Sequence, residues 1–209
     1  MPKTSGPGLN LFLDILFKLE ELAIPYVIIG GFAATMYGIT RTTFDIDIVV
    51  TLTEKNIQDL AAAYPPPRYY ADPYQMRQAM QMGSSFNIID SSRGEKADLF
   101  PLTMDLRYQP AFVNRIRRVV DLPNKDAFSV WAARPEDVII GKLMAWEEGR
   151  SDRHLSDIYE MMLFYYLGEE PDLDFDSVYV LDRAQAIGSE AADIWKLLHS
   201  TAQEEAARH

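Results

Sequence analysis

Cysteine is absent from all 209 residues, which rules out a disulfide framework and any thiolate metal site. Histidine is scarce as well. Only His154, His199 and His209 occur, too few for a conventional zinc centre. None of them falls in the part of the chain that reads as mixed α/β, so a serine–histidine nucleophile has no partner there. Any metal must be held by oxygen, which points to Mg2+ or Mn2+. Basic residues are outnumbered: 20 Lys and Arg stand against 31 Asp and Glu, a formal charge of −11. That balance disfavours a protein that coats nucleic acid indiscriminately, because phosphate neutralisation drives such binding. The apolar runs fall short of the roughly 18–20 residues that span a bilayer. The opening MPKTSGPGLN lacks the apolar core of a signal peptide. No membrane association and a cytoplasmic location are the resulting expectations.

What is present is the balance of a globular domain, 48% hydrophobic and 24% charged, enough to build a core without staples. The period of the apolar residues gives the organisation. Leu11, Leu13, Ile15, Leu16 and Leu19 mark an amphipathic helix over 9–22, stopped by Pro25. Tyr26 to Ile29 reads as a buried strand running into a Gly30-Gly31 turn, and Phe32 to Tyr37 as a short helix. Phe44 to Val50 is a strand with one wet face at its start. Thr51 and Glu54 have capping-box spacing ahead of a helix over 53–63. Asp72-Pro73 opens another helix, with Met76 and Met80 as core filler. Ser85–Ile89 and Lys96–Pro101 form two strands joined by the polar turn Asp90 to Gly94. Further strands are expected near 115–121 and 127–132. Helices follow over about 135–148, 153–167 and 175–187, and from 189 onward. The expected architecture is an α/β (α+β) core over residues 1–133, a small mixed sheet flanked by helices. A helical extension over 134–209 is expected to pack on it.

The chemistry concentrates on carboxylates. Asp45 and Asp47 are two apart on a strand, so they project from the same face, while Ile46, Ile48 and Val50 face the core. Two carboxylates about 4 Å apart repel by roughly 4 kcal/mol at an effective dielectric near 20, and a cation reverses that sign. A solvated strand start is the plainer use of an isolated Asp-x-Asp. Gly30-Gly31 adds backbone amides that a phosphate can approach closely. Asp98, on a later strand, completes a three-carboxylate site if that strand pairs beside the one carrying Asp45 and Asp47. Three acids, two metals about 3.5–4 Å apart and a nucleoside triphosphate form the general phosphoryl-transfer arrangement. Lys142 falls on the apolar side of its helix with Val138 and Trp146. It either extends its stem to water or reaches a buried anion. Asp157 is placed to orient Lys142 or Arg150, or to pair with Arg153 on the surface. Tyr69, Tyr70, Tyr165 and Tyr166 offer rings for base stacking or for ordinary packing.

The stretch Ile29-Gly-Gly-Phe-Ala-Ala-Thr-Met-Tyr-Gly-Ile-Thr-Arg41, followed by Asp45-Ile-Asp47-Ile-Val-Val50, resembles the signature of the nucleotidyltransferase superfamily. The similarity is to the branch of abortive-infection (AbiEii) toxins and of aminoglycoside and lincosamide nucleotidyltransferases. Arg134-Pro-Glu-Asp-Val-Ile-Ile-Gly-Lys142, with Arg150 and Asp157 downstream, is similar to the toxin-type proteins. Gly-Gly in place of Gly-Ser argues against the small antitoxin-type members. The resemblance implies a nucleotidyltransferase fold and a metal-dependent enzyme that moves an NMP from an NTP onto an acceptor hydroxyl. It implies that Asp45 and Asp47 hold two Mg2+ ions, and that Asp98 shares one and accepts the hydroxyl proton. Gly30 and Gly31 would bind the triphosphate, and Lys142 and Arg41 would neutralise its charge, with Arg150 and Asp157 in support. The acceptor would be tRNA or a small hydroxyl compound, and a cognate antitoxin is an expected partner of a toxin-type member. The alternative is a catalytically silent nucleotide-binding or partner-binding protein of the same fold.

Overall fold

The computed structural model describes residues 9–40, 45–120, 127–168 and 173–209, and they divide into two compact units. The first unit takes in the chain to Phe32 and Thr43–Ala132; the second takes in Ala33–Thr42 and Ala133–His209. Arg41 and Phe44 lie outside the described residues.

The first unit contains a seven-stranded mixed sheet. Its strands are β1 (Tyr26–Ile29), β2 (Ile46–Val50), β3 (Tyr69–Tyr70), β4 (Phe86–Asp90), β5 (Glu95–Pro101), β6 (Ile116–Val120) and β7 (Phe128–Ala132), in the order β3-β4-β5-β2-β1-β7-β6. The pairs β2/β5 and β1/β7 run parallel and the others antiparallel. This is the mixed α/β class expected from the alternation of apolar patterns. Helix α1 (Leu9–Glu21) buries Leu11, Leu13, Ile15, Leu16 and Leu19, the apolar stripe of its sequence. Its polar side is tied to the sheet. The Tyr26 hydroxyl donates to Glu20 Oε1 at 2.7 Å, Arg117 donates to the same oxygen at 2.6 Å, and the Trp131 amide donates to the Tyr26 hydroxyl. Burial works against the charged Glu20, but the Arg117 and Tyr26 hydrogen bonds outweigh it and hold the carboxyl below its ordinary range.

Helix α2 (Gly30–Thr35) follows β1 directly, and α3 (Glu54–Ala63) follows β2. The cap of α3 departs from the sequence expectation. Thr53, not Thr51, is the N-cap, and its box partner is Asn56 rather than Glu54. The reason lies in the sheet. The Thr51 amide still bonds to Pro25 O and Leu52 is buried, so the chain stays extended for two more residues. Helix α4 (Pro73–Met82) starts as expected at Asp72, whose side chain accepts from the Tyr74 amide. Met76 is fully buried, as core filler should be, whereas Met80 is only half-buried. The β4–β5 turn is anchored by Asp90. Its Oδ2 takes Arg68 at 2.8 Å and its Oδ1 takes the Ser92 amide and hydroxyl. Burial pushes that carboxyl up, and Arg68 with Ser92 pull it below the usual range. A 3-10 turn at Leu106–Tyr108 and α5 (Gln109–Val113) were not anticipated from the sequence pattern.

The second unit is helical: α6 (Pro135–Gly149), α7 (Asp152–Tyr166), α8 (Ser177–Ile187) and α9 (Ser189–Ala206). Helix α6 packs on α7 and α8, and α9 on α7 and α8. Ile139, Leu143, Ile158, Met162, Val180, Ala184 and Trp195 fill the interior. Phe175, Trp195 and His199 stack in series, with centroids 6.1 and 4.9 Å apart. Tyr165 packs on Phe175, so this ring serves packing. No described helix is long and apolar enough to cross a membrane.

His199 makes this unit sensitive to pH. The Tyr166 hydroxyl lies 2.6 Å from His199 Nε2, and burial pushes the imidazole below its ordinary value. The neutral ring accepts from the phenol; the charged ring has no lone pair to offer. A depressed folded pKa gives stability that is present above the unfolded value of about 6.5 and lost as pH falls through the folded one. Urea unfolding at pH 7.5 and pH 5 is expected to show a smaller acid-induced loss for His199→Gln than for the wild type. Equal losses would contradict this reading.

Candidate active site

The three carboxylates singled out above fall in the first unit, around the centre of its sheet. Asp47 on β2 stands in register with Asp98 on the parallel neighbour β5. The condition for a shared site, that the Asp98 strand lie beside the Asp47 strand, is therefore met. Asp45 lies one residue before β2, on the same side of the chain as Asp47 by strand alternation, and is exposed. Ile46, Ile48, Val49 and Val50 are fully buried, so β2 is wet only at its beginning, where the two acids are. On the other flank Asp47 is in register with Ile29, the last residue of β1, and the chain then turns into Gly30.

Gly30 is required there twice over. Its φ is +66°, a region that a side chain reaches only with strain. A Cβ at Gly30 would also lie 2.3 Å from Asp47 Oδ2 and 3.2 Å from Asp47 Cγ. The carboxylate thus occupies the space that the glycine leaves. Gly30→Ala is expected to cost about 1–2 kcal/mol in stability from the backbone alone. Its larger effect is to push the Asp47 carboxylate out of the place it holds against Gly30. A crystal structure of the variant with Asp47 undisplaced would contradict that expectation.

Two residues of the site escaped the sequence reading. The Lys96 ammonium sits 2.8 Å from Asp98 Oδ2, and Asn87 Nδ2 donates to Asp98 Oδ1 at 2.9 Å. The Asp98 hydrogen bond raises the Lys96 pKa, and the charges of Asp98, Asp45 and Asp47 add to it. A signal existed for both. Lys96 is two residues from Asp98 on one strand and so shares its face. A hairpin closed at Asp90↔Glu95 puts Asn87 opposite Asp98 by counting alone.

The donor chemistry of Asp45, Asp47 and Asp98 fits a hard divalent cation, and the space at Gly30 fits the Asp47 carboxylate. Among the described residues, however, no three acidic or histidine side chains are gathered so as to hold a metal unaided. The Asp98 carboxylate faces Lys96 and Asn87 instead.

The remaining expected site residues belong to the second unit. Lys142, on α6, reaches a buried anion rather than water. Its Nζ donates to Asp157 Oδ2 on α7 at 2.5 Å, with side-chain exposures of 6% and 2%. Asp157 therefore orients Lys142, not Arg150 or Arg153. Arg150 ends α6 in a left-handed conformation, φ +52°, with its guanidinium 4.3 Å from the centre of the Trp146 ring. It pairs with Glu190 at 2.7 Å and Glu147 at 3.0 Å.

No family model matches this chain, and no curated protein matches it in sequence. In structure the chain is similar to a candidate nucleotidyltransferase from H. pylori, with a TM-score of 0.48, 15% identity and 98% of each chain covered. It is similar to an antigenic nucleotidyltransferase-like protein from Paracoccidioides brasiliensis, with a TM-score of 0.44, 16% identity, and 71% of this chain and 72% of that one covered. It is also similar to the antibiotic-resistance factor ANT(2'')-Ia, with a TM-score of 0.38, 15% identity, and 96% and 93% covered. Likeness at this level leaves the chemistry to be argued from the residues of the chain itself.

Proposed function

We propose that this chain is a divalent-metal-dependent nucleotidyltransferase that moves a nucleoside monophosphate from an NTP to an acceptor hydroxyl. The observation that carries the reading is the Asp47–Asp98 register on adjacent parallel strands, with Asp45 beside it and Gly30 pressed against the Asp47 carboxylate. The sequence resemblance over Ile29–Arg41 and Asp45–Val50 supports it. Asp45 and Asp47 hold Mg2+ or Mn2+, and Asp98 shares in that binding. The metal, when bound, supplies charge neutralisation on the triphosphate and on the attacking oxygen. Backbone amides of Gly30 and Gly31 take triphosphate oxygens. Asp98 accepts the proton of the attacking hydroxyl, with Asn87 fixing the orientation of its carboxylate. Such positioning supplies most of the rate in phosphoryl transfer.

The acceptor is an RNA, as in a toxin-type member paired with a cognate antitoxin, or a small hydroxyl compound. Transfer of labelled nucleotide to a tRNA pool or to an aminoglycoside panel separates these two. A second reading, a nucleotide-binding protein without turnover, is favoured by one observation: both oxygens of Asp98 are already engaged, by Lys96 and Asn87. Thermal stabilisation by each of the four NTPs, with and without Mg2+, tests the binding part of the proposal. A Mg2+-dependent rise in Tm that the Asp45→Asn/Asp47→Asn double variant loses is the expected result. A rise that the double variant keeps would move the nucleotide to another site.

A further inference from the structure

The charge of Lys96 reaches all three proposed catalytic carboxylates. Its ammonium is bonded to Asp98 Oδ2 at 2.8 Å and is in electrostatic reach of Asp45 and Asp47. It comes from β5 itself, two residues before Asp98, so its anchor cannot drift away from the carboxylate it serves. Its side chain is 45% exposed and that of Asp98 19%, so the pair sits at the water-facing mouth of the site rather than in the core. An exposed ion pair of this kind adds little to folding. Beside two further acids, the same ammonium offsets part of their mutual repulsion.

Resting on the nucleotidyltransferase reading, we propose that Lys96 is the built-in counter-cation of the carboxylate row, competing with a divalent metal for Asp98. With Lys96 on Asp98, one of the three charges of the row is offset and Asp98 Oδ2 is engaged, which weakens binding of a metal alone. Cation entry requires the ammonium to leave Asp98 Oδ2. The flexible, half-exposed lysine stem can make that move without disturbing β5. Asn87, bonded to the other oxygen, keeps the Asp98 carboxylate oriented during the exchange. Lys96 is in this sense a positioning residue: it sets how much metal the free protein holds.

The probe is Mn2+ alone, titrated against the full chain and followed by electron paramagnetic resonance, with no nucleotide and no turnover. Lys96→Met and Lys96→Gln are both expected to bind Mn2+ about tenfold more tightly than the wild type. That gain should shrink as ionic strength rises, because exposed charges are screened. Lys96→Arg should return toward the wild-type value. Lys55→Met makes the same change in net charge on α3, where Lys55 pairs only with Asp59 among the ion pairs described, and should leave Mn2+ binding unchanged. Circular dichroism confirms that each variant is folded. Unchanged or weaker Mn2+ binding in both Lys96 variants, with Asp47→Asn still abolishing it, overturns the Lys96 assignment and leaves the proposed function standing. Mn2+ binding that survives Asp47→Asn overturns the carboxylate reading itself, and Lys96 with it.

Discussion

Lys142→Met is expected to lower the unfolding free energy by about 3–5 kcal/mol, the usual cost of removing one partner from a buried ion pair. The methionine matches the lysine stem in volume, so the core of α6 and α7 loses little packing. What remains is the Asp157 carboxylate, 2% exposed, with its 2.5 Å donor gone. A buried carboxylate that loses a charged donor is costly to keep ionised. Asp157→Asn alone should also destabilise, by removing the charged acceptor that the buried ammonium meets at 2.5 Å. The double variant Lys142→Met/Asp157→Leu should recover most of the loss, because two apolar residues of suitable volume often replace a buried pair at little cost. Urea unfolding of the four proteins measures this cycle. Additive losses in the double variant would mean that the two charges do not act as a pair.

Asp47→Asn is expected to reduce nucleotide transfer by more than about 100-fold, beyond the roughly 10–100-fold that loss of a supporting partner of a metal ligand brings. The substitution keeps the shape that fits against Gly30 and the register with Asp98, so stability should hold or rise slightly as repulsion within the row falls. Separating these two readouts is what makes the variant informative. A loss of transfer with an unchanged Tm assigns Asp47 to the chemistry; a loss of both assigns it to the fold.

Much of this architecture was legible in the order of apolar patterns. Strands β1 and β2, the hairpin closed by Asp90–Gly94, the apolar stripe of α1 and the four C-terminal helices all follow from local periodicity and turn chemistry. The two-residue strand β3 and the short α5 did not, since elements of that length carry no period to read. The α3 cap was misplaced by two residues, because Thr51 and Thr53 offer the same hydroxyl and only pairing with Pro25 decides between them. The carboxylates of the candidate site were visible as Asp-x-Asp and a lone later acid, but their register depends on a long-range parallel pairing that no local signal dictates. Lys142 presented two equal options, water or a buried anion. The choice rests on where α7 places Asp157, a contact across 15 residues of sequence. Lys96 and Asn87 were overlooked for a simpler reason: attention to acids alone passes over the cation and amide that balance them.

If the carboxylate row of β2 and β5 supports nucleotide transfer, a labelled NTP must leave its label on an acceptor. Incubation with each α-labelled NTP, Mg2+ and a mixed acceptor pool of tRNA and aminoglycosides, followed by detection of labelled acceptor, tests it most directly. The expected result is label on one class of acceptor, with release of pyrophosphate, in the wild type and none in Asp47→Asn. Equal labelling by wild type and Asp47→Asn, or none by a wild-type protein that binds Mn2+ and NTP, would contradict it.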